Sequence, residues 1–198
     1  MRNVVKNALF VCAVLALSAF SCSLCDAQIR VLPTGEINIS TESNSTVHVA
    51  SYGNVSGFPR YTIAILRGGR LVDLENVIDW QGNLRLKCVL GPDVYYDNRT
   101  AIEEFIETVG GDNIVLCGDG KSIVFGGSGM DLMLGGTTDD LLVGGDGRDW
   151  LVGDEGDDVL CGGQLGFVSY PDFEADILAG GYGDDTFYAF DEDRVYDW

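Results

Sequence analysis

Histidine is almost missing from this chain. His48 is the single one in 198 residues, and its polar, strand-like surroundings mark it as a surface residue rather than a base. Without a second histidine there is no HExxH zinc motif, and there is no GxSxG nucleophile elbow either. Basic residues are scarce as well: 12 Lys and Arg stand against 31 Asp and Glu, a formal charge of −19. Nucleic-acid phosphates and anionic lipid would both be repelled by that balance. Long apolar runs are absent beyond Ala8–Phe20, which is too short for a membrane span. The chain therefore offers no nucleic-acid surface, no membrane span and no nucleophile or zinc machinery for catalysis. Carboxylates are plentiful, but a nine-residue repeat period accounts for them, so the expectation is a protein that is not an enzyme.

The first 27 residues read as a removable address. Arg2 and Lys6 precede the apolar run, and small residues come after it, which is the layout of a secretory signal peptide. Cleavage falls after Ser23 or after Ala27. A lipoprotein anchor at Cys22 is disfavoured by Phe20 in the preceding segment. The expected location is therefore secreted or cell-surface. Beyond the signal, Cys88, Cys117 and Cys161 leave an odd count, which allows one disulfide, for instance Cys88 to Cys117, and one thiol. No CxxC spacing connects these three, which argues against a thiolate metal site.

Residues 28–107 carry short alternating apolar runs, such as Ile37 and Ile39, Val47 and Val49, Tyr61–Leu66 and Leu84–Leu90. Turn residues separate them, including Pro33-Thr34-Gly35, Gly53-Asn54, Gly68-Gly69 and Gly91-Pro92. This pattern predicts five or six strands, in antiparallel hairpins. Ala101–Thr108 is either one helical turn or a last strand. The segment is expected to run into the glycine-rich region downstream and to cover its first coil.

That region holds the feature the chain has in abundance, a nine-residue repeat. Gly126–Val152 reads GGSGMDLML, GGTTDDLLV, GGDGRDWLV, that is, Gly-Gly-x-Gly-x-Asp-x-apolar-x. Extended both ways, the sixth position is Asn113, Ser122, Asp131, Asp140, Asp149, Asp158, Phe167, Asp176 and Asp185. The eighth is Val115, Val124, Met133, Leu142, Leu151, Leu160, Ser169, Leu178 and Phe187. A flexible linker would not keep an apolar residue two places after every Asp. The Gly-rich half turns tightly and aims carbonyls inward, since Gly reaches positive φ at little cost. The Asp adds a charged oxygen beside them, and hard cations such as calcium take six to eight oxygens of this mixed kind. The apolar residue of the short strand after each turn points inward, and one unit alone cannot bury it, so units must stack. Between Gln164 and Ala175 the pattern fails. That patch is either two degenerate units or one unit carrying a nine-residue loop.

This array resembles the RTX (haemolysin-type) calcium-binding nonapeptide repeats. The resemblance covers residues 108–188, with an acidic tail at 189–198. It implies an all-β fold: a right-handed parallel β-roll, or β-helix, preceded by a β-rich N-terminal segment. It also implies several calcium ions held between units two apart. Carried onto this sequence, Gly126, Ser128 and Asp131 would face Gly144, Asp146 and Asp149. Gly135, Thr137 and Asp140 would face Gly153, Glu155 and Asp158, although Thr138 and Asp154 stand where glycines are usual. Asp176 and Asp185 match, with partners that depend on how the irregular patch folds. Asn113 and Ser122 keep an oxygen but no charge, which implies weaker sites, and Phe167 cannot ligate.

The outward positions are unusual. The seventh (Ile114, Leu132, Trp150, Ile177 among others) and the ninth (Leu116, Leu134, Val152, Tyr188 among others) are apolar almost throughout, Thr186 at a seventh position being polar. Either the N-terminal strands or the 164–175 stretch cover one sheet, or the face serves self-association or a protein partner. The resulting expectation is a secreted, non-enzymatic calcium-binding protein that folds when calcium cancels the repulsion among its carboxylates. The alternatives are an adhesion or structural module working through the apolar sheet, and a non-catalytic relative of an exported RTX enzyme or toxin.

Overall fold

The computed structural model describes residues 27–79, 84–164 and 174–197. The expected signal peptide, the Cys22 anchor and most of the irregular patch lie outside them. Among the described residues every regular element is a strand, and no helix is long and apolar enough to cross a membrane.

The strands in chain order are β1 (Gln28–Val31), β2 (Glu36–Ser40), β3 (Ser45–Val55), β4 (Phe58–Arg67), β5 (Arg70–Ile78), β6 (Arg85–Leu90), β7 (Tyr95–Arg99) and β8 (Glu103–Thr108). The repeats contribute β9 (Ile114–Leu116), β10 (Ser122–Ser128), β11 (Leu132–Gly136), β12 (Leu141–Asp146), β13 (Trp150–Glu155), β14 (Val159–Cys161), β15 (Ile177–Tyr182), β16 (Thr186–Tyr188) and β17 (Arg194–Tyr196). They form two mixed sheets, one ordered β1-β2-β6-β8-β10-β12-β14-β16 and the other β17-β15-β13-β11-β9-β7-β3-β4-β5. From β6 on, successive strands alternate between the sheets, and each pairs in parallel with the strand two places on.

The nine-residue period explains this. Two units return the chain to the same sheet, so the register is 18 residues: Val124 lies opposite Leu142, and Met133 opposite Leu151. The eighth-position residues then stack in two inward columns. Val115, Val124, Met133, Leu142, Leu151, Leu160 and Leu178 are all fully buried. Burying each such side chain contributes about 1.5–3 kcal/mol.

The N-terminal region departs from the hairpin expectation. Only β1–β2, β3–β4 and β4–β5 are antiparallel, whereas β2–β6, β6–β8 and β3–β7 are parallel. The coiled path therefore starts upstream of the glycine repeats, and Glu103–Thr108 is a strand, not a helical turn. The same columns continue through it, with Cys88 opposite Ile106, Ile106 opposite Val124, and Tyr96 opposite Val115. These N-terminal strands extend both sheets edge to edge, so they pair the first coil rather than lying over an outer face.

The irregular patch is settled by register. Trp150 pairs with Ile177 and Val159 with Thr186, so the offset grows from 18 to 27 residues. One unit therefore carries nine extra residues, and two degenerate units are ruled out. At the other end, what the sequence reads as an acidic tail contributes β17, which pairs with β15. Cys88, Cys117 and Cys161 are all free thiols, so the Cys88–Cys117 disulfide is not formed.

Candidate metal centre

The turns between sheets fall on two rims. Asn113, Asp131, Asp149, Asp176 and Asp193 stack on one; Ser122, Asp140, Asp158 and Asp185 stack on the other. The stacking is enforced by one repeated hydrogen bond. Oδ1 of each Asp accepts the backbone N–H of the sixth-position residue one coil earlier. Asp131 takes it from Asn113 (2.9 Å), Asp140 from Ser122 (2.7 Å), Asp149 from Asp131 (2.9 Å) and Asp158 from Asp140 (2.8 Å). Across the longer unit, Asp176 takes it from Asp149 (2.7 Å) and Asp185 from Asp158 (2.9 Å). The last step, Asp176 to Asp193 at 3.1 Å, spans 17 residues.

The second oxygen has a different fate. Oδ2 of Asp131, Asp140, Asp158 and Asp185 is buried without a hydrogen-bond partner. A buried carboxylate oxygen left unpaired is costly, and here it recurs at the same place in coil after coil. It lies against the first-position glycine of its own unit. A β-carbon built on Gly126, Gly135, Gly144, Gly153, Gly162 or Gly180 would collide with Oδ2 of Asp131, Asp140, Asp149, Asp158, Asp176 or Asp185 respectively. In four of them it would also meet the carbonyl of the next coil: Gly144 O at 2.5 Å over Gly126, Gly153 O at 2.8 Å over Gly135, Gly162 O at 2.6 Å over Gly144 and Gly180 O at 2.6 Å over Gly153. Glycine thus keeps open a small space faced by a carboxylate oxygen and a carbonyl.

The electrostatics favour a cation in that space. Burial, the largest cause, pushes Asp131 up to about 6, Asp140 to about 7 and Asp158 to about 6, against the N–H bonds that pull them down. Neighbouring carboxylates add to the rise, Asp158 acting on Asp140 and Asp185 on Asp158. Among the described residues, no lysine or arginine joins these groups in an ion pair, and no three His, Cys, Asp or Glu side chains converge as a metal cage. The donor set is thus one carboxylate plus backbone carbonyls between coils, which suits a hard oxygen-seeking cation and not a soft one.

The structure brings together Gly126, Asp131 and Gly144 on one rim, and Gly135, Asp140 and Gly153 on the other, with Asp149 and Asp158 completing the neighbouring coils. The third-position residues are placed differently. Ser128, Asp146 and Glu155 end β10, β12 and β13, Thr137 follows the end of β11, and all four are exposed. The Asp146 carbonyl accepts the Gly129 N–H at 2.8 Å, and Oδ1 of Asp146 accepts Gln164 Nε2 at 2.7 Å. Asp176 and Asp185 find their places against Asp149 and Asp158. Three further residues join the rims, two of them in the nine-residue register and one outside it. Gly162 and Gly180 supply first positions, and Asp193 lies beside Gly162, its Oδ2 3.1 Å from a β-carbon there and accepting the Phe190 N–H at 2.7 Å. The 17-residue step takes Asp193 out of the nine-residue register, which hides it. Asp154, where glycine is usual, adopts the glycine conformation at φ 85°. His48 is about half exposed, with Nδ1 3.5 Å from Asp97.

Comparison with protein families matches the RTX calcium-binding nonapeptide repeat, in four copies, at residues 134–164 and 172–193. No curated protein and no solved structure matches the chain.

Proposed function

We propose, for a chain that carries RTX calcium-binding nonapeptide repeats, that residues 85–196 form a calcium-loaded β-roll and that the protein is a secreted, non-enzymatic calcium binder. The observation that carries this is that Oδ2 of Asp131, Asp140, Asp158 and Asp185 is buried without a hydrogen-bond partner, each facing a cradle only glycine leaves open. Asp131, Asp140, Asp149, Asp158, Asp176 and Asp185 would each give Oδ2, and the first-position carbonyls of the next coil would give the neutral oxygens. Calcium there would neutralise carboxylates stacked one per coil. Ions that bind only the folded chain stabilise it by mass action, and roughly 10⁻⁴–10⁻³ M sites are filled outside cells. Without calcium the acidic coils repel, which suits passage across a membrane before folding.

Circular dichroism during a calcium titration tests this. Strand signal should rise with calcium, fall again on chelation, and respond much less to magnesium. A chain equally well ordered after exhaustive EDTA treatment would overturn the reading.

A second reading, a docking role for one outer face, is favoured by one feature. Tyr95, Ile114, Leu132, Trp150 and Ile177 lie side by side across five strands, with Ile114 39% and Trp150 54% exposed. Sedimentation in calcium tests it: a wild-type oligomer that Trp150→Lys reduces to monomer supports self-association, and a clean wild-type monomer counts against it.

A further inference from the structure

Not every coil keeps the cradle open. The first position, glycine in all six cradles, is Thr108 one coil before Gly126 and Cys117 one coil before Gly135. The sixth position there is Asn113 or Ser122 in place of Asp. Thr108 Oγ1 donates to the Gly126 carbonyl, an oxygen of the same first-position column that faces the cradles. Asn113 accepts the Val94 N–H on Oδ1 at 3.0 Å, which fixes its amide orientation. Its Nδ2 then has four oxygens around it: Gly111 O and Asp131 Oδ1 at 2.9 Å, Thr108 Oγ1 at 3.2 Å and Gly110 O at 3.3 Å. One nitrogen with two hydrogens among four oxygens occupies the surroundings of a cation. Thr108 and Asn113 are both buried.

The other rim repeats the device. The Cys117 thiol contacts Ser122 and Glu104. Glu104 pairs with Ser122 in register, so it heads the same column as Asp140. Its Oε1 accepts from Asn98 Nδ2, and the amide is held by Thr100 Oγ1 donating to Asn98 Oδ1 at 2.7 Å. Glu104 and Asn98 are buried. Asn98 thus supplies a protein donor to Oε1, while Oε2 of Glu104 is buried without a hydrogen-bond partner, at the level where, two strands later, only glycine positions face the carboxylates.

We infer that cation sites begin at Gly126–Asp131 on one rim and Gly135–Asp140 on the other, and that upstream of them Thr108, Asn113, Cys117 and Asn98 stand in for the metal, so that β1–β9 form a folded template without it. This replaces the expectation that Asn113 and Ser122 mark weaker calcium sites. The template offers the edges of β8 and β9 for the repeats to add to as calcium arrives. The inference rests on the calcium reading of the repeats, and its failure can be told apart from failure of that reading.

Hydrogen exchange on the full chain, in calcium and in EDTA at neutral pH, makes the separation. Amides of β2, β6 and β8 should keep their protection within about twofold in EDTA, while those of β11–β15 lose it by a hundredfold or more. Equal loss in both regions would overturn the template, and protection retained throughout would overturn the calcium reading itself. Ion counting by calorimetry gives an independent arm. The double variant Thr108→Gly, Asn113→Asp should bind one more calcium per chain than wild type, and an unchanged count would defeat the plug. Should that variant not fold, Asn113→Ala decides: the wild-type number of ions supports the inference, and the loss of one overturns it.

Discussion

A β-carbon on Gly135 would stand 2.5 Å from Oδ2 of Asp140, and 2.8 Å from the Gly153 carbonyl one coil on. Gly135 has no positive φ to protect, so its lack of a side chain answers to space, not backbone freedom. Gly135→Ala should therefore raise the calcium concentration at half-maximal folding by about tenfold or more, each tenfold being about 1.4 kcal/mol. Gly53→Ala is the control. Its β-carbon meets nothing within 4 Å, and φ is +83°, so it strains a local turn and should leave the calcium midpoint unchanged. A circular dichroism titration of both variants checks this.

Acid should affect the two forms in opposite directions. Without metal, Asp131, Asp140 and Asp158 sit near 6, 7 and 6, above the usual carboxylate value near 4. The folded chain then binds protons more tightly than the unfolded one. Their contribution is fully present below about pH 4 and is lost as pH rises through about 6 to 7. In EDTA, the melting temperature should be higher at pH 4.5 than at pH 7.5, by roughly ten degrees if two to three kcal/mol are at stake. In calcium the order reverses, because the ion competes with the proton, and calcium uptake at pH 6.5 should release protons into an unbuffered solution. Melts that move the same way with and without calcium would contradict the assignment.

The repeats are legible in the sequence because each of their residues has one task. Leu142 and Leu151 are inward by strand alternation, and both are fully buried. Asp140 and Asp158 recur at the nine-residue period, and both lie on the same rim. The N-terminal coils are not legible as coils. There Thr108 and Cys117 stand at the first position that glycine holds later, so the period survives in three dimensions but not in composition. Asp193 escapes because its coil is one residue short. The nine extra residues between Asp149 and Asp176 preserve the nine-residue period, so only strand register separates an insertion from two weak units.

Asp149→Ala should weaken calcium-induced structure far more than Asp119→Ala. Asp149 ties two coils together, taking the Asp131 N–H on Oδ1 and facing Gly144 with Oδ2. Asp119 lies exposed in its turn and is held there by its backbone N–H, which donates to the Thr100 carbonyl at 2.8 Å. Removing the Asp149 carboxylate takes away a ligand and leaves a buried N–H unpaired, a cost of about 1–3 kcal/mol before the metal is counted. Calorimetry should find at least one ion fewer in Asp149→Ala and the wild-type number in Asp119→Ala. Equal effects would sink the ligand assignment.

Leu151→Ala separates the apolar columns from the ionic ones. Leu151 is fully buried between Met133 and Leu178 in register, and truncating such a residue costs about 2–5 kcal/mol. No ligand is touched, so the number of ions at saturation should stay at the wild-type value. The calcium midpoint should nevertheless rise, because ions must now offset a less favourable fold. Denaturant unfolding at saturating calcium, beside calorimetric ion counting, reads both quantities. A lost ion would mean that column and cradle are not separable.

Asp154 carries a strain that the repeat itself exposes. It occupies the second position, flanked in register by Gly136 and Gly181, which hold φ of +129° and +113°. Asp154 is forced to +85° in the same place, a region that L residues enter at a cost of about 1–3 kcal/mol. Its side chain is exposed, so solvent rather than a packed neighbour surrounds the carboxylate. Its charge adds to the repulsion on Asp158, one of the causes that hold that carboxylate high. Asp154→Gly should therefore stabilise the calcium-loaded chain by about 1 kcal/mol, less the entropy glycine returns to the unfolded chain. Thermal melts in saturating calcium measure it. A destabilised variant would mean that the Asp154 carboxylate contributes to holding the ion at this rim by more than its backbone strain costs.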